Sequence, residues 1–311
     1  MNILITGLAG FIGSNLAREL LNKGHTVIGV DNLRTSDGSN LKELKKYNNF
    51  KFIKHDITIP FPKKLTTYNL KLTTIFHLAC PTGVPNLVPL AEEMLKTSSI
   101  GTTNVLELAK KTGAKLLFTS SSEVYGDPLL SPQTEEYTGN VNPTGIRSPY
   151  EEGKRFAESL VMMYVRKYKT KAVIVRVFNT YGPGADKDET RVIPRFLRLA
   201  LSGKPLSVQG SGNQVRTFCY IDDLVTGLIT VMKKGKVGRI YNLGSDRETT
   251  ILDAAKLIIK LTGSKSKIIF TPRPAHDHQR RQPSIEKIRQ LGWEPFTTLS
   301  QGVKQTLQSL K

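Results

Sequence analysis

The sequence predicts an α/β fold: a doubly wound parallel sheet followed by a smaller C-terminal α/β lobe. Three observations predict it. Strand-length apolar runs alternate with helix-period segments up to about residue 180, and such alternation feeds right-handed crossovers into one parallel sheet. A Gly7-x-x-Gly10-x-x-Gly13 turn separates the first apolar run from the first helical segment. The rhythm then breaks after Asn179-Thr180-Tyr181-Gly182-Pro183-Gly184, where Gly, Pro and charged residues become frequent.

Residues 2–6 read as the first strand. The helix after the glycine turn places Ile12, Leu16 and Leu20 on one face and should stop near Gly24, which suits a left-handed cap. His25–Val30 reads as the second strand, closed by Asp31. Further strands are expected at 51–54, 73–78, 115–119 and 172–177, with helices at about 89–112 and 148–168. Residues 1–179 then form the first domain and 180–311 a discontinuous second lobe. Ile221–Met232 is expected as a helix returning to the sheet and Arg239–Leu243 as a further strand.

Of the 311 residues, 39% are hydrophobic and 23% charged, the composition of a globular chain. No apolar run approaches the roughly 20 residues of a membrane span. Met1 leads straight into a strand pattern, so no secretory leader is expected, and two cysteines make no disulfide framework. A cytoplasmic setting is expected. The net charge of +19 raises nucleic acid as a partner, but the lysines are dispersed and lack interleaved aromatics. They read as a solvated basic surface.

The glycine turn suits a pyrophosphate. Small residues let the backbone approach, and the helix N-terminus supplies unpaired N–H groups and partial positive charge. Asp31, at the end of strand two, can accept hydrogen bonds from an adenosine ribose and repels a 2′-phosphate, which favours NAD over NADP. Arg34 nearby can tolerate that phosphate. Asp56, after strand three, can face the adenine. His77 reads as a satisfied strand-end histidine and Cys80 as a packing residue. His276-Asp277-His278 lies in a Pro-flanked loop without a third ligand cluster, so no metal is expected.

Tyr150 and Lys154 stand four residues apart on a predicted helix, hence on one face. A free phenol has a pKa near ~10 and is a poor base at neutral pH. An ammonium beside it favours the phenolate, and an oxidised nicotinamide would add to the effect. Bringing the phenol to neutrality takes roughly 4 kcal/mol of differential stabilisation. Ser121-Ser122-Glu123 ends the strand at 115–119 and can bring hydroxyls and a carboxylate to the same place.

On these residues the chain resembles the extended short-chain dehydrogenase/reductases that act on nucleotide sugars, and among them the UDP-glucuronate decarboxylases (UDP-xylose synthases). The resemblance runs through Gly7–Gly13, Ser122-Glu123-Val124-Tyr125-Gly126-Asp127-Pro128, Tyr150-Glu151-Glu152-Gly153-Lys154-Arg155 and Arg176-Val177-Phe178-Asn179. It continues in Gln214-Val215-Arg216-Thr217-Phe218 and Leu291-Gly292-Trp293-Glu294-Pro295. It implies a Rossmann domain holding NAD through Gly7, Gly10, Phe11, Ile12, Gly13, Asp31, Asn32, Asp56, Ile57, Leu78 and Ala79, with Tyr150 and Lys154. It implies Tyr150 as base, Lys154 as the group that lowers its pKa, and Ser121 on the sugar C4 oxygen. Ser122 and Glu123 act beside them, and Arg281 lies near the reacting carboxylate. Asn179, Arg191 and Arg216 hold the nucleotide diphosphate. A homodimer through two helices per subunit is implied as well.

The alternatives are a 4-epimerase, a 4,6-dehydratase and a non-catalytic protein that binds NAD or nucleic acid. Ser122 stands where dehydratases carry an aspartate, which counts against dehydration. Two departures from the decarboxylases concern the same site. Ser98 replaces the usual Asn, and Cys80-Pro81-Thr82-Gly83-Val84-Pro85-Asn86 replaces a Ser-Pro-Ala-Ser-Pro loop.

Overall fold

The computed structural model describes residues 1–62, 65, 71–185, 189–272 and 280–310. The first half carries β1 (Asn2–Thr6), α1 (Phe11–Asn22), β2 (Thr26–Asp31), α2 (Leu41–Leu44), β3 (Phe50–Lys54) and β4 (Leu72–His77). Then come α3 (Ala91–Lys96), a π-helical turn (Thr97–Gly101), α4 (Thr102–Thr112), β5 (Lys115–Ser121), α5 (Ser148–Tyr168) and β6 (Ala172–Val177). The second half carries β7 (Thr180–Tyr181), α6 (Val192–Leu201), β8 (Leu206–Gln209), β9 (Val215–Thr217), β10 (Cys219–Tyr220), α7 (Ile221–Lys234) and β11 (Ile240–Leu243). It ends with β12 (Glu248–Thr250), α8 (Ile251–Thr262), β13 (Ile268–Thr271), β14 (Arg280–Arg281), α9 (Glu286–Arg289) and α10 (Leu299–Ser309).

Alternation within single strands sets the layers. Ile3 and Ile5 of β1 belong to one buried cluster and Leu4 to another. Val173 and Val175 of β6 divide from Ala172 and Ile174 in the same way. Successive residues of a strand point to opposite faces, so a sheet apolar on both faces must be covered on both. Helices α1 and α7 contribute Leu16, Leu20, Leu224 and Leu228 to one cluster, while α4 and α5 contribute Leu106, Ala109, Ala157 and Val161 to the other. The result is a seven-stranded sheet in the order β11-β6-β5-β4-β1-β2-β3. All its pairings are parallel. This is the doubly wound arrangement expected from the sequence, and β11 extends it beside β6.

Three small sheets build the rest. In one of them β9 pairs with β12 antiparallel and with β14 parallel, which sets Arg281 in register with Arg216. Helix α8 and Trp293 join the same hydrophobic cluster as α1 and α7.

One element differs from expectation. The segment 89–112 is not a single regular helix: α3 and α4 are joined by the π turn at Thr97–Gly101. The run of hydroxyl side chains explains it. Ser99 donates to the Leu95 carbonyl at 2.7 Å, Thr103 to Ser99 at 2.9 Å and Thr102 to Thr97, five residues back, at 3.3 Å. Such back-bonding competes with the regular ladder and widens it.

A buried ion pair fixes α5 to β6. Arg176 donates to both Glu158 oxygens at 2.9 and 2.7 Å, and both residues are buried. Removing one partner strands the other charge. Glu158→Ala is expected to cost about 3–5 kcal/mol, read by urea denaturation; a loss under about 1 kcal/mol, the value of an exposed pair, would contradict this account.

Candidate active site

The C-terminal ends of the central strands hold the glycine turn. Gly7 has φ +71, a conformation that favours glycine, and an added Cβ would stand 2.7 Å from Cα of Ala79. Leu78 and Ala79 form the wall behind it, where the Leu78 N–H donates to the Thr6 carbonyl at 3.1 Å. At Gly13 a Cβ would strike the Gly7 carbonyl oxygen, whereas at Gly10 it would meet nothing nearer than that oxygen at 3.4 Å. Gly10 caps α1 without a side-chain bond, and the first intrahelical N–H, that of Ser14, returns to Gly10. The N–H groups of Phe11, Ile12 and Gly13 are therefore the helix-start donors. A backbone this bare at a helix N-terminus fits a pyrophosphate.

Asp31 accepts from the Ala9 N–H at 3.0 Å and from the Leu33 N–H at 2.8 Å. Burial raises its pKa despite those bonds. The Asn32 amide donates to Asp56 at 2.9 Å. Burial works to raise Asp56, but hydrogen bonds from Thr58 and Asn32 leave it below the usual carboxylate value. Arg34 is paired with Glu93 at 2.9 Å, which provides its guanidinium with a carboxylate of its own. Ile57 is a core side chain, packed against Gly101, and its carbonyl accepts from Asn104 at 2.8 Å.

Helix α5 brings Tyr150 and Lys154 to the end of β5. The buried Lys154 donates to the Thr119 carbonyl at 2.9 Å, and its Nζ lies 4.9 Å from the centre of the Phe118 ring. The Ser121 hydroxyl lies close enough to the Tyr150 phenol to favour its ionised form, and it accepts from the Glu123 N–H at 3.2 Å. Cys80 lies close enough to act on both Tyr150 and Lys154, and its Sγ is 3.9 Å from the Ser98 hydroxyl. Ser98 fills its position by packing against Gly153 of α5. Ser122 is buried.

One expectation is corrected here. Tyr150 is not acidified by the chain alone. Burial raises its pKa above the phenol value, Cys80 and Glu123 push the same way, and the Ser121 hydroxyl and the Arg191 charge only partly oppose them. Lys154 itself is lowered by burial, which weakens the cation meant to do the work. A bound oxidised nicotinamide would supply the further positive charge that a phenolate requires.

Glu123 is held by two arginines. Arg281 donates to its Oε1, and also to its Oε2 at 3.4 Å; Arg147 donates to Oε2. Burial would raise this carboxyl, but Arg281 and Arg147 outweigh it and hold it far below the usual range. Arg147 also donates to the buried Glu151 at 3.0 Å. Arg147 and Glu151 are site residues that the sequence reading did not assign. No spacing rule links a helix-capping arginine to a loop 24 residues earlier.

Beside this cluster a cleft of 430 Å³ is lined by Asn179, Arg191, Arg216 and Phe218, among others. Arg191 caps α6, approaches Thr82 at 3.5 Å and carries a charge that acts on Tyr150. Cleft and phenol are thus neighbours. His77 is buried between the hydroxyls of Thr6 (2.8 Å) and Thr102 (3.1 Å). Burial, then Lys154, lowers its pKa to about 3. It is a neutral structural histidine. His276, Asp277 and His278 lie outside the described residues, and among the described residues no cluster of His, Cys, Asp and Glu could hold a metal. No helix among them is long and apolar enough to cross a membrane.

A doubly wound sheet with a glycine turn, an aspartate closing the second strand and a Ser-Tyr-Lys group defines a short-chain dehydrogenase/reductase of the extended kind. The chain belongs to the NAD dependent epimerase/dehydratase family, which matches residues 3–244. It is 43% identical over 307 residues to UDP-glucuronic acid decarboxylase 1 of Danio rerio, covering 98% of this chain and 72% of that one. It is 43% identical to UDP-glucuronic acid decarboxylase 6 of Arabidopsis thaliana, covering 97% and 87%. Among solved structures, UDP-glucose 4-epimerase of Thermotoga maritima with UDP-glucose superposes with a TM-score of 0.90 at 31% identity, covering 100% and 98%. dTDP-glucose 4,6-dehydratase of Streptomyces venezuelae with NAD bound gives 0.89 at 27%, covering 99% and 96%.

The Tyr150 phenol is expected to stay protonated to above pH ~10 in the protein without cofactor and to titrate lower when NAD saturates it. The tyrosinate absorbance difference between wild type and Tyr150→Phe reads this. Ionisation below pH ~10 without NAD would contradict the dominance of burial.

Proposed function

We propose that this chain is an NAD-dependent UDP-glucuronate decarboxylase that forms UDP-xylose in the cytoplasm. One observation carries the reading. The Glu123–Arg281 pair stands beside Tyr150 and Ser121, in a chain 43% identical to UDP-glucuronic acid decarboxylases over nearly its whole length. The two free thiols fit a reducing compartment.

NAD, when bound, accepts two electrons from the sugar C4 and returns them at the end, so no external reductant is consumed. Tyr150 takes the C4 hydroxyl proton and Ser121 steadies the oxygen. The resulting β-keto acid breaks its C5–C6 bond, carbon dioxide leaves, and the electron pair moves into an enolate. Ser121 and Tyr150 face the enolate oxygen and can donate to it. A proton from water adds to C5 in place of the lost carbon dioxide, and Tyr150 gives its proton back to the C4 oxygen as the ketone is reduced. Asn179, Arg191 and Arg216 take the nucleotide diphosphate, with residues from 180 onward acting as the substrate lobe. The basic residues at the cleft suit a diphosphate.

A 4-epimerase or dehydratase is the second reading, favoured by the structural neighbours. Incubation with UDP-glucuronate and NAD, read by mass spectrometry, decides. Loss of carbon dioxide to a UDP-pentose supports decarboxylation, an isomer of unchanged mass shifts the assignment to epimerase, and loss of water to dehydratase. Tyr150→Phe is expected to lower turnover by about 10²–10⁴-fold, the usual worth of a positioned acid–base group, with NAD affinity nearly intact. Substantial remaining turnover would remove the phenol from its role.

We also propose a homodimer through α3–α4 and α5. Leu95, Ile100, Phe156 and Met163 are exposed on these elements, which pack side by side. Phe156→Glu is expected to yield a monomer by light scattering after gel filtration, where the wild type elutes at twice the chain mass. A wild-type monomer would refute the assignment.

A further inference from the structure

We propose that Arg147 is a positioning residue that keeps Glu123 paired while Arg281 turns to the carboxylate of the sugar. This rests on the decarboxylase reading and goes beyond it, because it assigns a residue and an exchange of partners to substrate capture.

The observations are these. Glu123 carries two arginines at once, one on each oxygen: Arg281 on Oε1 and Arg147 on Oε2. Arg281 is 6% exposed, and its Nε is a buried donor with no partner among the described residues. The two arginines are anchored differently. Arg147 caps α5, its carbonyl accepts the N–H groups of Tyr150 and Glu151 at 3.1 Å each, and its Nε is held by Glu151 at 3.0 Å. Arg281 sits on the two-residue strand β14, in register with cleft-lining Arg216.

A sugar carboxylate brought beside Tyr150 must find a cation, since a buried unpaired anion is strongly unfavourable. Arg281 is the cation at hand, with one donor already unsatisfied. If Glu123 depended on Arg281 alone, the substrate would gain its partner only by stranding Glu123. Arg147 removes that penalty. Glu123 keeps a charge-assisted bond throughout, and Arg281 exchanges one carboxylate for another. Glu151 balances Arg147, so the resting group holds two acids and two bases: Glu123 and Glu151, Arg147 and Arg281.

The test reads the KM for UDP-glucuronate against the inhibition constant of UDP, which lacks the carboxylate. In Arg147→Gln the KM is expected to rise about tenfold or more while the UDP constant stays within about twofold, because Glu123 now retains Arg281. Arg147→Lys, which restores the charge but not the fork, should fall between, at about threefold. A merely structural role predicts that both constants weaken together in Arg147→Gln. That result, or an unchanged KM, overturns the proposal. If Arg147→Gln does not fold, Arg147→Lys decides, and an unshifted ratio overturns the proposal. A wild type without turnover of UDP-glucuronate removes the decarboxylase reading itself; an active wild type with an unshifted ratio removes only the role of Arg147.

Discussion

The attachment of one face of α5 to the ends of β5 and β6 is the constraint on which the site depends. Lys154 reaches the Thr119 carbonyl on β5, and Glu158, one turn on, holds Arg176 on β6. Arg176 continues to the Tyr125 hydroxyl at 2.9 Å, and Tyr125 to Asn242 at 2.8 Å. Asn242 then donates to the carbonyls of Gln133 and Ser284. Each of these groups would be costly to bury unpaired, so the chain of bonds admits one arrangement of its members. Tyr150 is placed by the first link and the Ser122–Tyr125 turn by the middle. The far end holds the segment of Arg281, where the Gln282 N–H donates to Gln133 at 2.9 Å. Stretches distant in sequence are thereby brought to the same end of the sheet.

The electrostatics of this end follow from burial. Packing Tyr150 beside Cys80 and Ser121 at the β5 terminus disfavours its ionised form. A carboxylate nearby makes matters worse, and Glu123 is such a carboxylate. Two arginines on Glu123 answer that problem, since a neutralised ion pair exerts a far weaker field than a bare anion. A further positive charge brought beside the phenol would favour its ionised form.

Local spacing made part of this legible in the sequence. The three glycines, the strand-end Asp31 and the Tyr150–Lys154 pair each declare themselves within a few residues, because a turn or one helical repeat carries the physics. The doubly wound sheet was legible because fully buried strands and amphipathic helices differ in period. What the sequence did not disclose depends on partners far along the chain. Arg34 could tolerate a 2′-phosphate by its position, but Glu93 takes its guanidinium. Arg147 carried no local signal, because its bond to Glu123 exists only after β5 and α5 are docked. The π turn at Thr97–Gly101 had a local signal, the crowded hydroxyls of Thr97, Ser98, Ser99, Thr102 and Thr103, which a plain helical period overlooks. The pKa of Tyr150 was misread for the same reason: spacing reveals Lys154, but only packing reveals the desolvation that opposes it.

The second half of the chain serves the site through its packing as much as through its cleft. Leucines of α1 and α7, Ile251 and Ile258 of α8, and Trp293 share one apolar cluster with β1 and β6. A continuous core resists shear between its parts, because moving one part opens voids throughout the contact. The indole N–H of Trp293 donates to the Asp223 carbonyl at 3.1 Å, and the Asp223 carboxylate accepts from Thr297 at 2.9 Å. These bonds lock the C-terminal segment onto α7. Arg191 and Arg216 are therefore presented to Tyr150 from a rigid support. The cleft arginines and the Tyr150 phenol are thus set in place by the same core.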